Sequence, residues 1–192
     1  MKLRRLCIGL IVAACVSSVF AEDEPEQQVT LYAPRSSGIH YQGKACFSFK
    51  SGAVLDATPN RQWDLGYGFA AINGEEWFIL GSSTQTRTVI KDLGELKWTD
   101  RFQIPVLEPL PKLREGEQRH ITVDASADTG KKWAQTTNIM AKVVVGHIYV
   151  LRIKDPRSDF YVTFRVEDFK KREYCTITWK RAPMPRPRRV ND

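Results

Sequence analysis

Cys46-Phe-Ser-Phe-Lys-Ser-Gly-Ala-Val-Leu55, with Arg61-Gln-Trp-Asp-Leu-Gly-Tyr-Gly-Phe69 close behind it, is the stretch that decides the fold. Apolar and polar side chains alternate, give way to a short polar break, and resume behind a Trp-Asp pair. A period of two puts successive side chains on opposite faces of an extended chain, so each run is expected to be a half-buried strand. The break is the expected turn, and Trp63 is a large aromatic anchor at the start of the second strand.

The pattern extends in both directions. Strand character begins at residues 29–32 and is broken by Pro34 and the Ser-Ser-Gly that ends at Gly38. Asn73-Gly74, between residues 69–72 and Trp77-Phe78, is the strongest hairpin signal, because both residues tolerate the positive φ of a type I′ turn. Residues 86–90 are β-branched and form a further expected strand. From 92 to 130 the pattern is irregular, and Pro105, Pro109 and Pro111 are too closely spaced for a central strand or a long helix. Arg119-His-Ile-Thr-Val123 is the one clear strand there. Three β segments close the chain, at 143–154, 160–166 and 173–179. Turn-like links at 155–159 and 167–172 join them, the second with room for one helical turn. No segment sustains a period near 3.6, so the expected fold is all-β: one antiparallel domain with at most one short helix.

The two ends set the boundaries. Residues 1–21 have the form of a secretory signal: a basic start, an apolar core at 6–16 too short to span a bilayer comfortably, and small residues before a cut ahead of Glu22. Val12-Ala-Ala-Cys15 has instead the form of a lipoprotein signal, with Cys15 as the lipidated residue. Either way the expected location is outside the cytoplasm, in the periplasm, at the outer membrane or extracellular, with membrane contact only through such an anchor. Residues 22–28 are expected to be an acidic, solvated leader, 29–180 the domain, and 181–192 a flexible Pro/Arg-rich tail. Loss of Lys2, Arg4 and Arg5 with the signal lowers the formal net charge from +7 to +4. Much of that remainder lies after Trp179, so no basic surface for nucleic acid is implied.

Of the four cysteines, Cys46 and Cys175 lie outside the signal, in the first and last strong strands. In an oxidising compartment they are a disulfide candidate, worth on the order of 4 kcal/mol for so long a loop. Two buried thiols are the alternative. No Gly-x-Ser-x-Gly, His-Glu-x-x-His, Cys-x-x-Cys or phosphate loop is present, so a non-catalytic binding role is expected.

The opening strands, with their Phe-Ser-Phe and Trp-Asp signatures, resemble those of the HmuY-type haem-binding proteins of Gram-negative bacteria. The closing strands resemble that family too: Gly146-His-Ile-Tyr-Val-Leu-Arg152, Phe160-Tyr-Val-Thr-Phe-Arg-Val166 and Cys175-Thr-Ile-Thr-Trp179. The resemblance implies a β domain that captures haem or a related porphyrin and delivers it to a TonB-dependent outer-membrane receptor. Carried over residue by residue, it implies His120 as one iron ligand. The second His position falls at Asn138, which leaves Met140 as the nearest soft ligand, and imidazole with thioether is a known axial set. Arg119 and Lys131, with Arg114 and Lys132, are implied partners for propionates, and Trp98 and Trp133 could stack on a macrocycle. The alternative keeps the β fold and replaces haem with another ligand in a cell-envelope binding module. His147, in a strand apolar on both faces, is expected to be a satisfied sheet histidine, and His40 a loop histidine.

Overall fold

The structure is a computed structural model that describes residues 25–34, 44–55, 63–72, 74–81, 87–99, 102–111 and 139–185. Among these residues there are ten strands and no helix. Sheet 1 runs β1 (Gln27–Tyr32), β10 (Tyr174–Ala182), β9 (Ser158–Lys170), β8 (His147–Asp155), β6 (Val89–Glu95). Sheet 2 runs β3 (Ala53–Leu55), β2 (Cys46–Ser48), β4 (Leu65–Ile72), β5 (Glu75–Leu80), β7 (Met140–Lys142). Every paired strand is antiparallel. The expected all-β single domain is the fold.

The two sheets face each other across an aromatic core, and sequence parity decides which side chains enter it. Phe47, Phe49 and Phe78 from the sheet 2 side meet Tyr149, Phe164 and Trp179 from sheet 1. Phe78 stands edge-on to Phe164 at 5.2 Å and to Tyr149 at 5.5 Å between ring centroids, while Phe49 approaches Trp179 to 5.2 Å. Tyr149 and Phe164 stack at 4.8 Å within sheet 1. Such pairs add about 0.5–1.5 kcal/mol each beyond the burial of the rings. The buried tyrosines keep their hydroxyls bonded: Tyr149 donates to Lys142 O at 2.7 Å, and Tyr67 to Lys170 O at 3.1 Å.

The opening stretch differs from its expectation in one respect. Residues 46–55 are not one strand but a hairpin, β2 and β3, turning between Ser48 and Ala53. Gly52 takes φ +64°, which an L side chain adopts only with strain. The turn is held by the Trp-Asp pair of the following strand, since Asp64 Oδ2 accepts the Phe49 N–H at 2.8 Å. Gly81 is required nearby: a Cβ there would lie 1.8 Å from the Trp63 carbonyl oxygen. The Asn-Gly hairpin expectation fits the register. β4 ends opposite the start of β5 with Ile72 facing Glu75, two residues lie between, and Gly74 has φ +79°.

Three further expectations are corrected. Gln27 and Gln28, expected in the leader, pair with Trp179 and Thr178 as the first residues of β1. The link at 167–172 holds no helical turn, because β9 runs on to Lys170 through an irregularity opposite Thr176 and Ile177 and then turns with Arg172 at φ 61°. The expected strand at 143–154 begins later, at His147, as β8. β7 belongs to sheet 2 and β8 to sheet 1, so residues 143–146 carry the chain between sheets, with Gly146 at φ +81°.

The expected Cys46–Cys175 disulfide is not formed; both residues are buried thiols. Parity gives the reason. Cys175 shares its face with Ile177 and Trp179 and enters the core from sheet 1. Cys46 belongs to sheet 2, where its neighbour Phe47 takes the core-facing position, so the Cys46 side chain is directed to the opposite face. A sheet therefore stands between one thiol and the other.

Candidate ligand-binding cleft on sheet 1

Register places the outward side chains of sheet 1 in rows. Ala182, Tyr161, Arg152 and Val89 stand side by side across β10, β9, β8 and β6, and Lys180, Thr163, Val150 and Lys91 form the next row. Residues 102–111 cross this face as a strap without regular structure. Leu107 is its anchor, packed with Val89, Val150 and Tyr161. Three prolines remove backbone donors from the strap, so side chains of the sheet bind what remains. Arg152 Nη1 donates to Leu107 O at 2.8 Å, the Tyr161 hydroxyl accepts Leu107 N–H at 3.0 Å, and Arg87 Nε donates to Leu110 O.

Arg152 is itself fixed. It makes two bonds to Asp159, both at 2.9 Å, and lies 5.7 Å from the Tyr161 ring centroid. Hydrogen bonding to Asp159 raises the Arg152 pKa. In return the Arg152 bonds, reinforced by Lys154, hold the Asp159 carboxyl down to about 2. The strap is therefore gripped by a side chain that Asp159 and Tyr161 also hold in place.

Where the chain leaves β6 towards the strap, Trp98 lies on the same face. The Lys180 ammonium is 5.0 Å from its ring centroid and the Arg165 guanidinium 5.8 Å, both cation–π distances. Arg165 is also paired side-on with Glu167, Nη2 to Oε2 at 2.9 Å. Trp98 is only 8 % exposed, and its Nε1 is buried with no hydrogen-bond partner among the described residues. Beside it is a cleft of about 410 Å³, lined by Trp98, Thr99, Phe102, Ile104 and Thr163 on one part and by Lys180, Arg181 and Pro183 on another. That volume lies within the range of small-molecule sites, roughly 300–1,000 Å³. Among the described residues Glu26 is the one carboxylate lining it, 3.4 Å from Lys180 Nζ.

A second cleft, of about 510 Å³, lies at the turn before β8 between Glu95, Lys97, Val145 and Arg165. Its Arg165 is already committed to Glu167, and no orphaned buried atom lines it. Trp77 Nε1, Glu76 Oε1 and Thr88 Oγ1 are also buried without partners among the described residues, but none of these three residues lines either cleft.

The residues singled out from sequence are distributed differently. His120, Arg119 and Lys131 lie outside the described residues, as do Arg114, Lys132, Trp133, His40, Asn138 and Cys15. Met140 is the described member of the implied haem set. It sits in β7 opposite Ile79, 3 % exposed, while its neighbour Ala141 faces the core. It therefore belongs to the outer side of sheet 2 and not to the sheet 1 cleft. His147 is satisfied, as expected of a sheet histidine, with Nδ1 3.0 Å from Asp92 Oδ2. Among the described residues no group of three His, Cys, Asp or Glu side chains is placed to hold a metal ion. Trp98 was singled out in sequence only as a stacking surface. Lys180 and Arg181 read there as tail charges, and only the β9–β10 register puts them beside Trp98. No family model, no curated protein and no solved structure matches this chain.

Proposed function

We propose that this protein is a non-catalytic binding module of the cell envelope that holds a small ligand in the cleft beside Trp98. The observation that carries this reading is the indole N–H of Trp98. Among the described residues it is a buried donor without an acceptor, in a residue that lines a cleft of ligand size. An unsatisfied buried donor costs about 1–3 kcal/mol, which a ligand acceptor would recover where a shift of the ring opens the N–H to the cleft. Export is supported by the form of residues 1–21, and a binding role by the lack of the common catalytic motifs.

The test is to expose the purified protein to a small-molecule extract and identify what it retains by mass spectrometry. Trp98→Phe keeps most of the packing and removes the donor, so it is expected to lose the retained compounds. Retention of the same compounds by the variant refutes the reading. The haem-capture reading, supported by the family resemblance alone, is tested alongside by haemin titration. A saturable Soret band that disappears when both His120 and Met140 are replaced would move the function away from sheet 1.

A further inference from the structure

We propose that the outer face of β6, β8 and β9 is a groove for an extended, proline-containing peptide of a partner protein, and that the strap is its built-in occupant, which such a peptide displaces. The strap itself defines what the groove recognises. Ile104, Leu107 and Leu110 recur every third residue, and all three pack in one cluster with Val89, Val150 and Tyr161. Gln103, Val106 and Glu108 are exposed. A period of three is that of the polyproline II helix, and the composition favours it. Pro105, Pro109 and Pro111 have φ fixed near the polyproline value, and the residues before them, Ile104, Glu108 and Leu110, are pushed the same way. The main chain is read at the same interval. Leu107 N–H donates to the Tyr161 hydroxyl at 3.0 Å, and its carbonyl accepts from Arg152 Nη1 at 2.8 Å. Leu110 N–H donates to Arg87 O at 3.3 Å, and its carbonyl accepts from Arg87 Nε. Two leucines three residues apart are thus each held by side chain, N–H and C=O together.

These are the means by which domains bind polyproline-type ligands: apolar side chains from one face of the peptide, an aromatic surface, and bonds to the peptide backbone. The strap is also easily released. It adds no strand to either sheet, and Leu107 is its only buried residue. A segment with so little buried surface opens at lower free energy than the sheets beneath it. Its release would uncover Val89, Val150 and Tyr161, with Arg152 still paired to Asp159 beside them. An acidic residue after the central leucine suits the groove, because Glu108 lies within electrostatic reach of Arg152. The groove adjoins the Trp98 cleft through Phe102 and Ile104, but none of these strap contacts is made by Trp98 or Lys180. The two sites therefore stand or fall separately.

The probe is a fluorescein-labelled peptide with the sequence of residues 102–111, titrated against the full chain and read by anisotropy. Leu107→Ala with Leu110→Ala loosens the strap. This chain is expected to bind the peptide at least about tenfold more tightly than wild type, where the tethered strap competes at high effective concentration. A peptide with both leucines replaced by alanine, or with its prolines moved, is expected to bind the loosened chain at least about tenfold less tightly. Adding Arg152→Ala to the loosened chain is expected to weaken the peptide further. Circular dichroism reports that the loosened chain is folded. Wild type supplies a check that needs no variant: excess peptide is expected to speed limited proteolysis within residues 102–111 several-fold as the strap is displaced. Peptide that binds neither chain, or both alike, overturns the groove, and so does cleavage unchanged by peptide. Binding that survives the moved prolines overturns the class of ligand. A loosened chain that self-associates, and that the peptide dissociates, overturns the outside partner in favour of strap exchange between copies.

Discussion

Asp64 provides the sharpest test of how the opening stretch is held together. Its carboxylate is buried beside the β2–β3 turn and accepts the Phe49 N–H, with further bonds from the Ser48 hydroxyl and the Lys50 backbone. Burial disfavours the charged form and these bonds favour it. Burial prevails, and the carboxyl is pushed up from 3.8 to about 6. The folded protein then binds this proton more tightly than the unfolded chain. Its stabilising contribution is full below pH 3.8 and is lost as pH rises to about 6. The interval between the two values corresponds to about 3 kcal/mol. Asp64→Asn cannot titrate. It also offers one acceptor to three donors, a penalty of about 1–3 kcal/mol that does not vary with pH. The slope is therefore the decisive quantity. Between pH 4 and pH 7 the unfolding free energy of the variant should gain about 2.4 kcal/mol on wild type, or about 1.2 M in relative urea midpoint at a slope of about 2 kcal/mol/M. Asp159 and Asp155, whose carboxyls are lowered, contribute in the opposite sense and in a different window, losing stability as pH falls below 3.8. Urea titrations followed by tryptophan fluorescence across that range measure the difference directly. A difference between variant and wild type that is flat with pH, or that grows in favour of wild type, would refute the account of a carboxylate dominated by burial.

Other changes test other links. Gly81→Ala drives a methyl group into the Trp63 carbonyl, a backbone atom that cannot step aside. It should cost about 3 kcal/mol or more and lower the melting temperature by about 10 °C, read by circular dichroism. Arg152→Ala removes the bond to Leu107 O together with the partner of Asp159. It should expose residues 102–111 to limited proteolysis at least about tenfold faster, and Arg152→Lys should not restore protection, because the paired geometry needs a guanidinium. Cys46 and Cys175 should be alkylated only after unfolding, and treatment with reductant should leave the intact mass unchanged. Burial raises the Cys175 pKa and keeps it a thiol at neutral pH.

Much of the fold was legible because it depends on the strict two-residue period. Phe47 and Phe49, Tyr149 and Leu151, and Ile177 and Trp179 are paired by parity, and each pair enters the core. What was not legible depends on relations between distant residues. The turn inside 46–55 follows from Asp64, fifteen residues after Phe49, whose hydrogen bond is not visible in the alternation. The disulfide expectation used sequence position, whereas the outcome was decided by which face of which sheet each cysteine occupies. The Trp98 cleft has no motif at all, since it joins an irregular segment to two cations in the last residues of β10. The available signal was that Lys180 shares its parity with Thr178 and Thr176, away from the core-facing Trp179 and Ile177.

The position of a ligand site on this fold follows from what already fills its interior. The aromatic rings of the two sheets meet at 5.2–6.2 Å between centroids, contact distances that leave no room for a flat molecule between these rings. Core side chains in such packing set stability, and inserting or removing volume there disturbs folding before it alters recognition. Recognition is then left to the outward-facing half of each strand, where parity places polar residues. On sheet 1 that half is partly roofed by the strap, and the roof converts an open sheet surface into a cleft with walls. In the proposed small-ligand role Arg152, Tyr161 and Arg87 would matter only through the strap they hold, whereas Trp98 and Lys180 line the cleft itself. Loosening the strap should weaken every ligand alike, while changing Lys180 should alter which ligand is preferred.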